Sequence, residues 1–295
     1  MSQDARHKIG PARPRRALAL VALLPFVCVA PVRAADPPQR IMSMMQCNDL
    51  LLLALVPKQR IASVTYLAHE AVAAIMTGAD RGVAINHGTA EEIVRQRPDL
   101  ILAGTYSTPA ARRLAKKIGA RLVEIPAVNS FQDIRQVTRQ IGALVGEPAK
   151  AEAMIARMDA ILADLAAHKP KRIVTVAAWS GSGSVPGKGT LIDEMIRVAG
   201  GTNVAARFQD ANYSSFGIEE LIAARPDAII ESRNEWTAPS LRSKVGGHPL
   251  VRRLYARRTI TYPAPVVSCG LPQTAESVRA LHRAFAALPQ GGVGW

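Results

Sequence analysis

The chain is 295 residues long, with 37 Lys and Arg against 23 Asp and Glu for a formal charge of +14, and it is 48% hydrophobic but only 4% aromatic. Removing residues 1–34, which hold Arg6, Lys8, Arg13, Arg15, Arg16 and Arg33 against Asp4 alone, lowers the charge to +9, so part of the basicity belongs to the amino terminus. No basic run interleaved with aromatics occurs, which argues against nucleic acid; the remaining charge suits anionic ligands, lipid headgroups or an ordinary scattered surface.

At the amino terminus the basic residues run into the apolar segment Ala17 to Val32, the order of a secretory signal peptide. Val32-Arg33-Ala34 supplies small residues where a signal peptidase cuts, so cleavage is expected after Ala34, with Ala35 as the second choice. About 16 apolar residues broken by Pro25 and Pro31 fall short of the roughly 20 that a spanning helix needs. Cys28 follows Phe26 and Val27, where a lipid-attachment signal wants small residues, and Arg15-Arg16 permits a twin-arginine route. The remaining chain of about 260 residues is enough for two lobes with separate cores. Export leaves Cys47 and Cys269 in an oxidising compartment, where a disulfide can persist.

Beyond the leader, short apolar runs alternate with segments of helical period, the pattern of parallel sheets covered by helices. A buried strand is expected at 41–45, a helix over 48–56, a strand at 60–64 and a helix over 69–77. Thr89 and Glu92 have capping-box spacing and open a helix that stops before Pro98. A strand at 100–104 follows, then a helix from Thr108-Pro109 to Gly119, a strand at 122–125 and a helix from Ser130 to about Gly146. Residues 148–168 lack an internal breaker and place Met154, Ile155, Met158, Ile161, Leu162 and Leu165 on one stripe, predicting a helix roughly 30 Å long. The alternation then resumes with a strand at 173–178, a Gly/Ser loop and helices over 191–199 and 218–224. Strands at 228–232 and 259–262 and a last helix over 273–288 complete it.

One stretch occurs twice. EEIVRQRPDLILA at 91–103 aligns without gaps on EELIAARPDAIIE at 219–231, with six identities in thirteen positions. Each copy reads as a helix stopped by Pro, then Asp and a buried strand. Lying on either side of the long helix, the copies suggest two similarly built lobes, although the junction is also a common one.

Taken with RIMSMMQCNDLLLLAL, GTLIDEMIRVAGGTNVA and HPLVRRLYARRTI, these stretches make the chain, over about 40–288, resemble the periplasmic binding proteins of ATP-driven importers for cobalamin, ferric siderophores and haem. The resemblance implies an α/β fold of two Rossmann-like lobes with parallel sheets, joined by one long helix, with the ligand cleft between them. On that template residues 1–34 are the signal peptide, 35–147 the first lobe, 148–168 the linking helix and 169–295 the second lobe. It implies a monomer in the periplasm that hands a small-molecule chelate to an ABC permease dimer, with no enzymatic activity and no resident cofactor. It also places Cys47 and Cys269 on opposite surfaces of the cleft, leaving a disulfide and two free thiols both open. Glu91 and Glu219 fall where the family's acidic docking residues meet permease arginines, with Glu92 and Glu220 as adjacent rivals. Gln46-Cys47-Asn48-Asp49 and Val267-Ser268-Cys269-Gly270 depart from the usual cleft loops, so the ligand itself does not carry over.

No catalytic or phosphate-binding motif survives in WSGSGSVPGKGT, where Ser182 stands in place of a P-loop glycine and Gly189 in place of Ser or Thr. No H-x-x-x-H or C-x-x-C pair occurs, so direct metal ligation is not expected, and His168, His248 and His282 read as structural. Ligand pockets are mostly apolar and aromatic with a few placed polar groups. Tyr66, Tyr106, Trp179, Tyr213 and Trp236, after strands or in loops, are therefore the stacking candidates, with ordinary packing as the alternative for each. Gln46, Cys47, His69, His87, Arg233 and Cys269 complete the expected ligand-binding set, with Arg233 as a partner for a carboxylate. The competing readings are an exported two-lobed enzyme acting on a metal chelate and a stand-alone scavenger or sensor.

Overall fold

The computed structural model of the chain describes residues 36–104, 109–170, 172–180, 183–207, 212–233, 241–291 and 293. The chain opens with β1 (Ile41–Ser43), α1 (Gln46–Leu55), β2 (Ile61–Thr65), α2 (Ala68–Ile75), β3 (Ile85–Asn86), α3 (Ala90–Gln96), β4 (Leu100–Gly104), α4 (Pro109–Lys117) and β5 (Arg121–Ile125). Every pairing among these strands is parallel, and they form one sheet of order β3-β2-β1-β4-β5. β1 and β4 are buried along their whole length, as strands covered on both faces must be.

The antiparallel helices α5 (Phe131–Val145) and α6 (Pro148–Ala167) come next. Gly142 permits their close approach, since a Cβ there would lie 2.5 Å from the Ala151 Cβ. The chain continues through β6 (Val174–Ala178), β7 (Ser184–Pro186), α7 (Leu191–Val198), β8 (Gly201–Asn203), β9 (Tyr213–Ser215), α8 (Ile218–Ala224) and β10 (Ala228–Arg233). It ends with α9 (Leu241–Gly246), α10 (Pro249–Tyr255), β11 (Thr259–Pro263), α11 (Pro265–Ser268) and α12 (Thr274–Ala287). The second sheet, β11-β10-β6-β8, is again parallel, and β7 pairs antiparallel with β9 beside it. No helix among the described residues is long and apolar enough to cross a membrane.

The fold is thus the expected α/β arrangement of two parallel sheets. α6 serves both cores: Ala151 packs with Leu52, Leu55 and Val145 of the first, and Ile155, Met158, Ile161 and Leu165 pack with Val174, Val176 and Met195 of the second. α5 does the same in reverse, with Phe131 and Ile134 in the second core and Val137, Ile141 and Val145 in the first. The long helix expected over 148–168 is α6, and α5, expected from Ser130, packs beside it on both cores.

The repeated stretch is a structural repeat. Arg97 and Arg225 end α3 and α8 in the left-handed region, at φ of 45° and 46°. Asp99 then accepts hydrogen bonds from the backbone N–H groups of Gln39 and Arg40 at the entry to β1, and Asp227 accepts from the backbone and hydroxyl of Thr175 in β6. Since β1 neighbours β4 and β6 neighbours β10, each Pro-Asp corner ties its own strand to the strand beside it. Several boundaries shift from expectation by one or two residues, β1 ending at Ser43 and α2 spanning Ala68–Ile75. α1 begins at Gln46, two residues early, because nothing in Met45-Gln46-Cys47 breaks a helix, and Cys47 therefore sits in its first turn.

Candidate functional site

A cleft of about 610 Å³ lies where the carboxyl ends of the two parallel sheets face one another, the place at which open α/β sheets take ligands. The first lobe contributes Met45, Asn48 and Leu51 from the start of α1 and Ile125 to Asn129 after β5. The second contributes Ala178, Trp179 and Ser180 after β6, Ser232 at the end of β10, Tyr262 on β11, and Thr190, Leu191 and Ile192 at the start of α7. Ser184, Pro186 and Tyr213 come from the β7-β9 pair, and Ala264 and Val267 to Cys269 from α11 and its end.

Cys47 and Cys269 form a disulfide within this lining, with Cα atoms 4.8 Å apart. It ties α1 of the first lobe to the segment after β11, whose Cys269 and Leu271 are buried in the first core. Gly270, at φ +60°, makes this turn possible, because a Cβ there would meet Val128 at 2.4 Å. A further contact joins α5 to α7, where the Phe131 backbone N–H donates to Glu194 at 2.7 Å.

Of the residues expected from sequence, the structure brings Cys47, Trp179, Tyr213 and Cys269 into the lining. Trp179 is only 2% exposed and packs among Val185, Phe216, Leu221 and Tyr255, its indole N–H directed at the Gly246 carbonyl, so it walls the cleft as core and offers no open stacking face. Tyr213 is 64% exposed at the rim. Gln46, Tyr66, His69 and His87 are not brought into the lining. Gln46 donates to the Leu67 carbonyl, and His69 pairs with Asp80 at 2.7 Å. Tyr66 and His87 stack on each other, centroids 5.2 Å apart, because β2 and β3 are neighbours and each residue immediately follows its strand. Tyr106, Trp236 and the side chain of Arg233 lie outside the described part of the chain.

The sequence reading missed Asn48, Asn129, Ser232, Tyr262 and Ser268. Only Asn48 and Ser268 lay in stretches marked as unusual; Tyr262 and Ser232 were hidden at the ends of strands, where alternation alone does not say which side chain faces the opposite lobe. Asn48 is 1% exposed; its amide nitrogen donates to the Ala103 carbonyl and its Oδ1 has no hydrogen-bond partner. Burial, aided by the neighbouring Tyr213, pushes the Tyr262 phenol up to about 12, so it remains a neutral O–H. Asp49, behind the cleft, is raised to about 6 by burial, although hydrogen bonds from Ser43 and Thr65 oppose the shift. Among the described residues no group of three or more His, Cys, Asp or Glu is placed to hold a metal ion.

On the outer surface Glu91 and Glu219 are both exposed at the first turns of α3 and α8. Their neighbours are engaged. Glu92 accepts from the backbones of His87 and Thr89, and Glu220 from the backbone of Gly217. Burial acts to raise the Glu92 carboxyl, but the Thr89 and His87 donors outweigh it and hold it below its ordinary value.

Residues 46–259 match the family model for periplasmic binding proteins. A cobalamin-binding protein of Halobacterium salinarum is 30% identical over 145 residues, 48% of this chain and 39% of that protein, so the chain spans about two fifths of the curated relatives of that kind. Among solved structures, a periplasmic haem-binding protein of Vibrio cholerae superposes with a TM-score of 0.69 at 17% identity, covering 84% of this chain and 98% of the other. The periplasmic vitamin B12 binding protein of the same organism gives 0.63 at 18%, covering 86% and 99%. At such identities the two structures establish a shared fold.

Proposed function

The chain belongs to the periplasmic binding protein family, and on that premise we propose that it is the substrate-binding component of an ABC importer, capturing a metal chelate of the cobalamin, ferric siderophore or haem kind. The observation that carries this reading is the cleft between two parallel sheets, built at their carboxyl ends and closed at its back by a cross-lobe disulfide. The metal would arrive inside its own chelator, so the protein needs no resident cofactor. The basic amino terminus and the apolar segment that follows support export to the periplasm, with cleavage after Ala34. Capture needs one copy of the chain, and the proposal is a monomer that meets a permease dimer.

Docking is assigned to Glu91 and Glu219. They occupy equivalent places on the two copies of one structural repeat, which suits a two-fold partner, and the adjacent Glu92 and Glu220 are committed to backbone N–H groups. Native mass spectrometry of protein isolated from the periplasm should show one retained chelate. The double variant Glu91→Lys/Glu219→Lys should lose uptake in cells while its affinity for the same chelate changes by less than about twofold, since docking and capture use separate surfaces. Normal uptake by that variant would move the docking acids elsewhere, and turnover of the chelate would favour the enzymatic alternative.

A further inference from the structure

Resting on the docking reading above, we infer that the docking surface carries both signs of charge in each lobe: beside its glutamate, each lobe presents an arginine, Arg113 or Arg253, that meets carboxylates of the permease dimer. The first observation is a second internal repeat. Pro109-Ala-Ala-Arg112-Arg113-Leu114 opens α4 and Pro249-Leu-Val-Arg252-Arg253-Leu254 opens α10, and each is followed three residues later by one more base, Lys117 or Arg257. The two helices hold equivalent places, since α4 leads into β5 beside β4 and α10 leads into β11 beside β10. Their packing register is also the same. Leu114 and Ala115 turn to the core of the first lobe, Leu254 and Tyr255 to that of the second, and Arg113, Lys117, Arg253 and Arg257 are left exposed.

The second observation is charge. No Asp or Glu occurs in residues 100–123 or 236–275, the stretches that contain these helices. Arg112 is engaged by Glu124 and the Gly104 carbonyl, but none of Arg113, Lys117, Arg253 and Arg257 has an ion-pair partner among the described residues. Like charges one turn apart weaken a helix, so the recurrence of these bases at the same exposed places points to a partner outside the chain. The third observation is position. α3 packs beside α4 through Ile93, Leu114 and Ala115, and α8 shares its core with α10 through Leu221, Val251 and Tyr255. Each of the four helices leads into the start of a parallel strand, so within a lobe the two run in the same direction. With helix axes about 8–10 Å apart and a rise of about 1.5 Å per residue, Arg113 lies on the order of 10 Å from Glu91, well inside a standard footprint of about 800 Å². An anionic lipid surface would repel Glu91 and Glu219 and has no two-fold order for matched positions to meet, whereas a permease dimer can offer a base and an acid to each lobe.

Binding of the fluorescently labelled protein to spheroplasts of its own cell, which expose the periplasmic face of the inner membrane, tests this against protein-free vesicles made from the lipids of the same membrane. The wild type should bind spheroplasts more tightly than vesicles, and less tightly as salt rises from about 0.05 to about 0.5 M. Arg113→Glu/Arg253→Glu should weaken spheroplast binding at least about tenfold, because reversal turns attraction into repulsion at two places, while Arg113→Lys/Arg253→Lys keeps it within about threefold. Both variants change exposed side chains only, and thermal melting equal to that of the wild type checks that they fold. Unchanged spheroplast binding by the glutamate variant, alongside lost binding by Glu91→Lys/Glu219→Lys, would overturn the inference and leave the docking reading standing. Equal binding of the wild type to vesicles and spheroplasts, lost from both in the glutamate variant, would assign the arginines to lipid headgroups and overturn it as well. Spheroplast binding that neither double variant weakens, or none by the wild type, would count against both readings.

Discussion

At the residue scale, Asp49 carries the clearest consequence. It accepts from the Thr65 backbone at 3.2 Å and from the Thr65 hydroxyl at 2.5 Å, fixing the end of β2 to α1 directly behind the cleft. Because burial raises its folded pKa from 3.8 to about 6, the folded state binds the proton more tightly than the unfolded one. Its contribution is therefore fullest below about pH 4, falls as pH rises towards 6, and stays low above that. A rise of that size corresponds to about 3 kcal/mol as an order of magnitude. Denaturant titrations of the wild type and Asp49→Asn should accordingly diverge between pH 4 and pH 7, with the wild type losing stability relative to the variant; parallel curves would show that Asp49 titrates as in the unfolded chain. Asp49 was visible in the sequence as part of a stretch that departs from the family's usual cleft loop, and nothing local marked it as buried. Burial here comes from β2, sixteen residues further along the chain.

At the element scale, the two helix-Pro-Asp-strand corners make a paired prediction. Asp99 and Asp227 do the same work in the two lobes, each holding the entry of the adjacent strand through charge-assisted bonds to backbone N–H groups. Asp99→Ala and Asp227→Ala should each destabilise the protein by about 1.5–3 kcal/mol, and the double variant by close to the sum, since the corners lie in separate cores. Chemical denaturation of the three variants checks this; a silent Asp227→Ala beside a damaging Asp99→Ala would mean the repeat is one of sequence only. The capping box at Thr89 and the Ser130 cap were legible because a cap is a local pattern of side chain and backbone, and both hydrogen bonds are present. β3, β7, β8 and β9 were not, since strands of two or three residues are too short for any period. α9 and α10 interrupt a basic, low-periodicity stretch and are held instead by contacts such as Val251 and Tyr255 against Phe216.

At the scale of the whole molecule, the lobes are joined in more than one place. The α5-α6 pair packs on both cores, and bending α6 would break backbone hydrogen bonds that no internal Pro or Gly relieves. The Cys47–Cys269 bond adds an attachment across the cleft, spanning 222 residues of chain. Loop-closure entropy for so long a loop sets an upper bound of about 5 kcal/mol on its stabilisation, with strain and residual structure reducing the realised value. Cys47→Ser/Cys269→Ser should therefore melt at a lower temperature than the oxidised wild type. It should also show a larger compaction on ligand binding by small-angle scattering, whereas the wild type changes little. Equal scattering differences for both proteins would mean that the helix pair alone limits closure.

The sequence by itself determined the α/β class, the long helix over 148–168, the caps and the internal repeat, because each is written in the spacing of neighbouring residues. The resemblance brought Cys47 and Cys269 to the same cleft, but their bonding was settled only when the turn at Gly270 carried a second-lobe segment into the first core. Only the tertiary structure decided that Trp179 is a core residue and that Tyr66 and His87 spend their rings on one another. It likewise decided that Asn48 is left with a buried, unanswered oxygen. Each of these depends on which strand lies beside which and on what the opposite lobe presents, and those neighbours are set by sheet order, to which local spacing is blind.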